Sequence, residues 1–343
     1  MSIMSLYTTS TFQVKDRTGL SNTYTQGRGV RQGCPLSPYL FTLVLSHLMD
    51  QVDAEYIHQH NSLPWIFSAA STLWDIEYAD DTVIWGRSFE AATNFLTILI
   101  PLAKQKGLSL NLKKCEHLPL HSTEKIIIAD PETHESITIP TVTVVKYLGV
   151  LLTPNASSNK EINRRLSQAK TAHKLLRPFF THKHLALKWK LTVYQQIIGS
   201  ILTYAMESLA IDVTNFRKLD AFHYKVIRQC MGVKSTFYSK IINPTEAEIS
   251  NRYYHKTLHQ RGFDIRTPTQ KIQSRSLKLL GHITRHPEEL VSSCTYRADG
   301  SARRLNATLR VGAPRLHWSE LTSTLAQNRI HMFQNSQQMV HIR

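Results

Sequence analysis

The sequence predicts an α+β fold in which paired strands precede a helical region, and three stretches carry that expectation. Leu73-Trp74-Asp75-Ile76-Glu77-Tyr78 alternates apolar and polar residues, and Thr82-Val83-Ile84-Trp85-Gly86 answers it with a β-rich run, so Tyr78-Ala79-Asp80-Asp81 reads as the tip of a hairpin. A second β-rich run extends from Ile137 to Leu152. Beyond Pro154 the period changes: Ile162, Leu166, Ala169, Ala172 and Leu176 recur at helical spacing, with Arg164, Arg165, Lys170 and Lys174 elsewhere on the same helix.

The remaining elements follow in order. Phe12 to Asp16 and Ser21 to Thr25 read as two strands joined by a turn around Arg17-Thr18-Gly19. Ser37 suits a helix N-cap and Pro38 a first helical position, while Leu40, Phe41, Val44, Leu45, Leu48 and Val52 repeat at helical spacing and are expected to pack in a core. Phe89 to Lys106 reads as a helix, with Lys113-Lys114 on the strand or loop that follows. Helical runs from Leu185 to Leu209 and from Phe216 to Met231 would complete a small bundle. From about Ile241 the sequence is basic and less periodic, with Arg303-Arg304, Arg310 and Arg315 among small residues, and is expected to be flexible or partly folded.

Composition points to a polyanionic partner. Lys and Arg number 41 against 25 Asp and Glu, a formal charge of +16, and binding driven by such an excess weakens as salt rises. The longest apolar stretches, such as Phe95 to Leu102, fall far short of the roughly 20 residues a membrane span needs. The N-terminus shows no basic segment followed by a long apolar run, so an intracellular protein, nuclear or cytoplasmic, is expected. Cys34, Cys115, Cys230 and Cys294 are scattered, which suits a reducing compartment. With 343 residues, 42% of them hydrophobic, the chain can bury a core and form two or three domains.

An acidic turn can hold Mg²⁺, which takes oxygen ligands and is usually bound by one or two carboxylates with substrate phosphates. Asp80-Asp81 is such a turn, and an acidic surface turn is its bland alternative. The upstream segment Gly29-Val30-Arg31-Gln32-Gly33-Cys34-Pro35-Leu36-Ser37-Pro38-Tyr39-Leu40-Phe41 resembles the reverse-transcriptase motif that lies between the two acidic motifs of the palm. With Tyr78-Ala79-Asp80-Asp81 following in the expected order, the chain resembles the reverse transcriptase of a non-LTR (LINE-type) retrotransposon. Gly107-Leu108-Ser109-Leu110-Asn111-Leu112-Lys113-Lys114 is similar to the family's Gly-Leu-x-x-Asn-x-x-Lys element, and Lys146-Tyr147-Leu148-Gly149 resembles its primer grip. Weaker similarity lies in Leu280-Gly281-His282 and in Val311 to Trp318.

The resemblance implies part of the fingers and palm over residues 1–153, with most of the fingers missing, a helical thumb over 154–235 and a basic C-terminal region over 236–343. It implies an RNA-directed DNA polymerase that adds deoxynucleotides to a DNA primer on an RNA template with two Mg²⁺ ions. Asp80 and Asp81 would carry metal, and Lys114 or Lys113 could protonate the leaving pyrophosphate. Gln32, Gly33, Pro35, Ser37, Tyr78 and Asn111 would meet the nucleotide or template, with Gly29, Gly33 and Pro35 holding an irregular backbone. Tyr147, Leu148 and Gly149 would hold the primer.

In the family a further carboxylate, upstream of the Gln-Gly motif, joins the Asp-Asp pair. The only acidic residue before Arg31 is Asp16, which lies in the apparent hairpin, so a C-terminal fragment, inactive by itself, is expected. The alternatives are a non-catalytic nucleic-acid-binding remnant and a group II intron maturase, against which the His-Ile-Thr-Arg and Val-Gly-Ala-Pro-Arg segments look more LINE-like. His282 and His286 with Cys294 nearby offer only a weak zinc pattern, because no Cys-x-x-Cys pair completes it.

Overall fold

The computed structural model describes residues 10–27, 29–31, 33–61, 75–86, 88–120, 124–129, 136–233, 251–296 and 317–340. These residues form helices and small antiparallel strand pairs, in the α+β manner expected. The chain divides into two compact units, residues 1–117 with 121–141 and residues 142–343 with 118–120.

In the first unit β1 (Thr11–Phe12) pairs with β2 (Tyr24–Thr25), and a bridge between Lys15 and Leu20 extends the expected hairpin. Its turn is closed by Asp16, whose Oδ1 accepts from the backbone N–H groups of Thr18 and Gly19 and from the Thr18 hydroxyl, at 2.7, 3.1 and 2.6 Å. Helix α1 (Ser37–His60) starts one residue earlier than Ser37 capping would require. The Ser37 N–H bonds back to the Cys34 carbonyl at 3.2 Å, so Leu36 takes the cap position and Ser37 enters the first turn.

Two strands, β3 (Asp75–Tyr78) and β4 (Asp81–Ile84), pair in register Tyr78 with Asp81. Helix α2 (Phe89–Gln105) begins at a true cap, the Ser88 hydroxyl accepting from the Ala91 N–H. It ends at Gly107, where the Leu108 N–H reaches the Ala103 carbonyl and the Gly107 N–H the Lys104 carbonyl. The core of this unit is the seam of α1 with α2: Leu48, Met49, Val52 and Tyr56 against Phe95, Leu96, Leu99 and Ala103. Strands β5 (Ile127–Ala129) and β6 (Ser136–Thr138) add Ile128 and the neighbouring Ile126 and Ile139. The expected apolar stripe of α1 is buried only in its C-terminal half, since Val44 is exposed and Leu40 and Phe41 are half-covered.

The second unit begins with β7 (Val145–Tyr147) and β8 (Val150–Leu152), followed by α3 (Asn159–Thr181) and α4 (Leu187–Val193). The chain then runs through a π-helical turn (Tyr194–Gly199) into α5 (Ser200–Thr203) and a 3₁₀ turn (Met206–Ser208). Leu191, Tyr194, Ile198 and Leu202 succeed one another at three- and four-residue steps, the spacing of one helical face, and are all buried. Helix α6 (Val213–Cys230), capped by Asp212, closes the bundle with Leu219, Phe222, Val226 and Ile227.

Among its described residues the C-terminal region is more regular than its sequence suggests. Helices α7 (Asn251–Gln260) and α8 (Pro268–Arg285) place Leu258 and Ile272, with Ile265 between them, in the same core as α3 and α6. A reciprocal capping box of Thr267 and Gln270 starts α8. Short α9 (Leu290–Thr295) and α10 (Trp318–Val340) follow, and the Trp318 indole N–H donates to the Glu207 carbonyl at 2.6 Å.

Candidate functional site

The β3–β4 connection is a two-residue turn of Ala79 and Asp80, with Asp81 opening β4. Two-residue hairpins require positive φ to match strand twist, and Ala79 adopts φ 54°. Asp80 therefore sits on the turn itself, so the alternation of side chains along a strand does not govern the relation of Asp80 to Asp81. Both carboxylates are exposed, and among the described residues neither forms an ion pair. Tyr78, cross-strand partner of Asp81, is 63% exposed on the same face.

The opposite face of this hairpin is acidic. Asp75 and Glu77 are half-buried while Ile76 and Tyr78 face outward, an inversion of the usual apolar-in pattern. Burial pushes the Asp75 carboxyl above its ordinary range. Burial also raises Glu77, which is pushed further by the charge of Asp75 and by Asp53 and Asp50 on α1.

Of the other expected residues in the first unit, Gly33 has φ 85° and Gly29 φ 81°, the irregular backbone that the sequence called for. Pro35, Asn111, Lys113 and Lys114 are exposed, and Ser37 is buried. Lys114 follows a tight turn, its N–H bonded to the Asn111 carbonyl at 2.9 Å. Gln32 lies outside the described residues. Asp16 is committed to its own turn, and its hydrogen bonds from Thr18 hold its carboxyl below the usual range. Among the described residues no group of three or more His, Cys, Asp and Glu side chains is arranged to hold a metal ion. His282 and His286 each meet a carboxylate, Glu289 at 3.2 Å and Glu288 at 3.1 Å.

Tyr147, Leu148 and Gly149 belong to the second unit, at the tip of the β7–β8 hairpin. Leu148 (φ 45°) and Gly149 (φ 78°) form the turn, both in the left-handed region. Helix α3 seizes this turn from one side. The Gly149 carbonyl accepts from Arg164 and Arg165 at 2.5 and 2.6 Å, and the Leu148 carbonyl accepts from the Tyr204 hydroxyl at 3.1 Å. Glu161, with no exposed side-chain surface, accepts from both arginines and from the Leu151 N–H at 3.0 Å. Burial opposes the Glu161 charge, but these donors outweigh it and hold its carboxyl below the usual range. Of the side chains that hold this turn, Glu161 and Tyr204 were not singled out in the sequence, and Arg164 and Arg165 were read only as basic residues of the helix, although a Glu with Arg three and four residues later is a pairing signal. Arg165, read in the sequence as lying off the apolar stripe, is buried.

Comparison with known proteins bears on both turns. Residues 2–152 match the family described as reverse transcriptase (RNA-dependent DNA polymerase). The chain is 25% identical over 306 residues to the probable RNA-directed DNA polymerase from transposon X-element of Drosophila melanogaster, covering 86% of this chain and 30% of that protein. It is 26% identical over 144 residues to the retrovirus-related Pol polyprotein from type-1 retrotransposable element R2 of Nasonia vitripennis, covering 40% of this chain and 13% of that polyprotein. The chain thus spans less than a third of the length of either relative. No described helix is long and apolar enough to cross a membrane. The Asp80-Asp81 hairpin and the Leu148-Gly149 turn both fall inside the matched span, so residues 2–152 are similar to the reverse transcriptase family and the chain to polymerases of transposable elements.

Proposed function

We propose that this chain is part of an RNA-directed DNA polymerase that extends a DNA primer along an RNA template. Residues 1–153 would serve as fingers and palm, 154–235 as thumb and 236–343 as a basic C-terminal region. The observation that carries this reading is the exposed two-residue turn presenting Asp80 and Asp81 within the matched span. Two exposed carboxylates on a hairpin suit a hard cation that keeps waters and substrate phosphates among its ligands. Mg²⁺ bound there supplies Lewis-acid stabilisation of charge developing on the phosphates. Tyr78, beside Asp81, packs on the primer terminus or incoming nucleotide, and Lys114 or Lys113 delivers a proton to pyrophosphate. Gln32, Gly33, Pro35 and Asn111 line the path of the template and nucleotide, with buried Ser37 fixing the first turn of α1 behind them. Tyr147, Leu148 and Gly149 hold the primer strand, stiffened by Glu161, Arg164, Arg165 and Tyr204.

The test is primer extension in Mg²⁺ by a longer protein containing this chain, beside its Asp80→Asn variant. Asp80→Asn is expected to abolish extension and to leave template binding intact; extension that survives the substitution refutes the assignment. A second reading, nucleic-acid binding without chemistry, is favoured for the 343-residue chain by itself because only two carboxylates meet at the turn among the described residues. Asp80-dependent extension by that chain would exclude it.

A further inference from the structure

A cavity of about 340 Å³ opens in the helical unit between the end of α3, the start of α4 and the end of α6. Its lining includes Lys183, Lys190 and Arg261, with Gln229 and Cys230, and no Asp or Glu. Lys190 is 6% exposed, and among the described residues its ammonium has no carboxylate partner. A cation that lines a cavity without a protein counter-charge is met there by water or by a bound anion. The protein supplies none here: burial pushes the Cys230 thiol up to about 12, Lys190 opposing only in part, so that group stays neutral. Gln229 adds a donor. Its Oε1 can only accept, so His173 Nε2 must donate to it at 2.5 Å, which leaves the Gln229 amide N–H groups for the cavity.

We propose that this cavity binds a phosphate group of a nucleic-acid strand, with Lys190 at its floor and Lys183 and Arg261 at its rim. Three cations and an amide donor match the charge and the acceptor oxygens of a phosphate ester, and the guanidinium fork can engage two of those oxygens. The volume leaves room for the attached sugar. The assignment of the phosphate to nucleic acid rests on the function proposed above, whereas the anion site itself does not.

The experiment uses the full chain and two readouts. Inorganic phosphate, against chloride at equal ionic strength, should raise the melting midpoint of the wild type and leave Lys190→Met unmoved. Short single-stranded oligonucleotides with and without a 5′-phosphate should bind Lys190→Met about tenfold more weakly than the wild type, the loss expected for one charge-assisted hydrogen bond. The log–log salt slope should shrink by about 0.7, one single-strand phosphate contact. Arg261→Gln, at an exposed position, should shift both readouts in the same direction without relying on a core substitution, and Lys188→Ala, outside the lining, should shift neither. A loss confined to the phosphorylated oligonucleotide assigns the site to a strand end, and an equal loss assigns it to an internal phosphodiester. Unchanged phosphate protection and unchanged affinity in both Lys190→Met and Arg261→Gln overturn the proposal. Absence of any oligonucleotide binding by the wild type would instead count against the polymerase reading.

Discussion

Tyr204 donates its hydroxyl to the carbonyl oxygen of Leu148 at 3.1 Å while the Arg165 guanidinium carbon lies 4.4 Å from the centre of its ring. One aromatic side chain thus joins the β7–β8 turn to the helix whose arginines hold the next carbonyl along. The turn is fixed by side chains that are themselves buried or stacked, which makes its geometry a property of the bundle core.

Glu161→Gln should therefore be among the most damaging substitutions in the second unit. It removes the carboxylate from Arg165, which is 8% exposed, and breaking a buried pair by removing one partner typically costs about 3–5 kcal/mol. The Glu161 carboxyl is held below its ordinary value of 4.5, so its stabilisation is fully present above that value and is lost as pH falls through the lower, folded-state one. Urea unfolding of wild type and variant near neutrality and in acid checks both statements; the difference between them should shrink in acid.

On the primer-holding role proposed for them, Leu148 and Gly149 set stability against binding. Leu148 holds a left-handed φ of 45° that Asn tolerates better, so Leu148→Asn should stabilise the hairpin by about 0.5–1 kcal/mol. The same change removes an exposed apolar tip and should weaken primer–template binding. Gly149→Ala should destabilise, because φ is 78° there and an added Cβ would stand 3.4 Å from the Tyr204 ring. Thermal melts paired with binding isotherms separate the two effects.

Asp75 and Glu77 predict an acid-stabilised hairpin. Their carboxyls are raised above 3.8 and 4.5, so the folded state keeps protons that the unfolded chain has released, and this contribution declines as pH rises through that window. Glu77→Gln should raise the melting midpoint at neutral pH, with the gain vanishing below about the ordinary glutamate value.

His223 acts in the opposite direction. It is fully buried, its Nδ1 is 2.6 Å from the Tyr194 hydroxyl, and burial, with the neighbouring His255 and Lys271, pushes it down to about 3. Between 6.5 and that value the unfolded chain binds a proton that the folded chain refuses, so stability should fall as pH drops through the window. His223→Leu should melt lower near neutrality, having lost the tyrosine contact, but with a flatter dependence on pH.

Much of the architecture was legible because it rests on local signals. The run from Phe89 to Lys106 matches α2 to within a residue, and the stripe of Ile162, Leu166 and Ala169 is the buried face of α3. The Asp-Asp turn was legible for the same reason, as an alternating run answered by a β-rich one. The burial of Arg165 was not legible because its partner carbonyl, on Gly149, lies 16 residues away and is brought close only by the tertiary fold. The C-terminal helices were legible only in part for a different reason. Ile272, Ser276 and Ile283 do repeat at helical spacing behind the Thr267–Gln270 box, but a stripe interrupted by serine and flanked by basic residues has weak contrast. Nothing in Tyr194 to Gly199 announces a π turn, since its residues suit an ordinary helix equally well.

That π turn makes the chain locally expendable. A wide turn of this kind is what a regular helix becomes when it accommodates one additional residue while the segments on either side keep their orientation. Exposed Gln196 lies within it, between Leu191 and Leu202, both of which face the core. Loss of one codon there would be absorbed as a tightening of the helix, whereas the same loss within α6 would turn every following side chain by about a hundred degrees, the angular step of a 3.6-residue period. The second unit thus carries a built-in allowance for a length change in a helix at its centre.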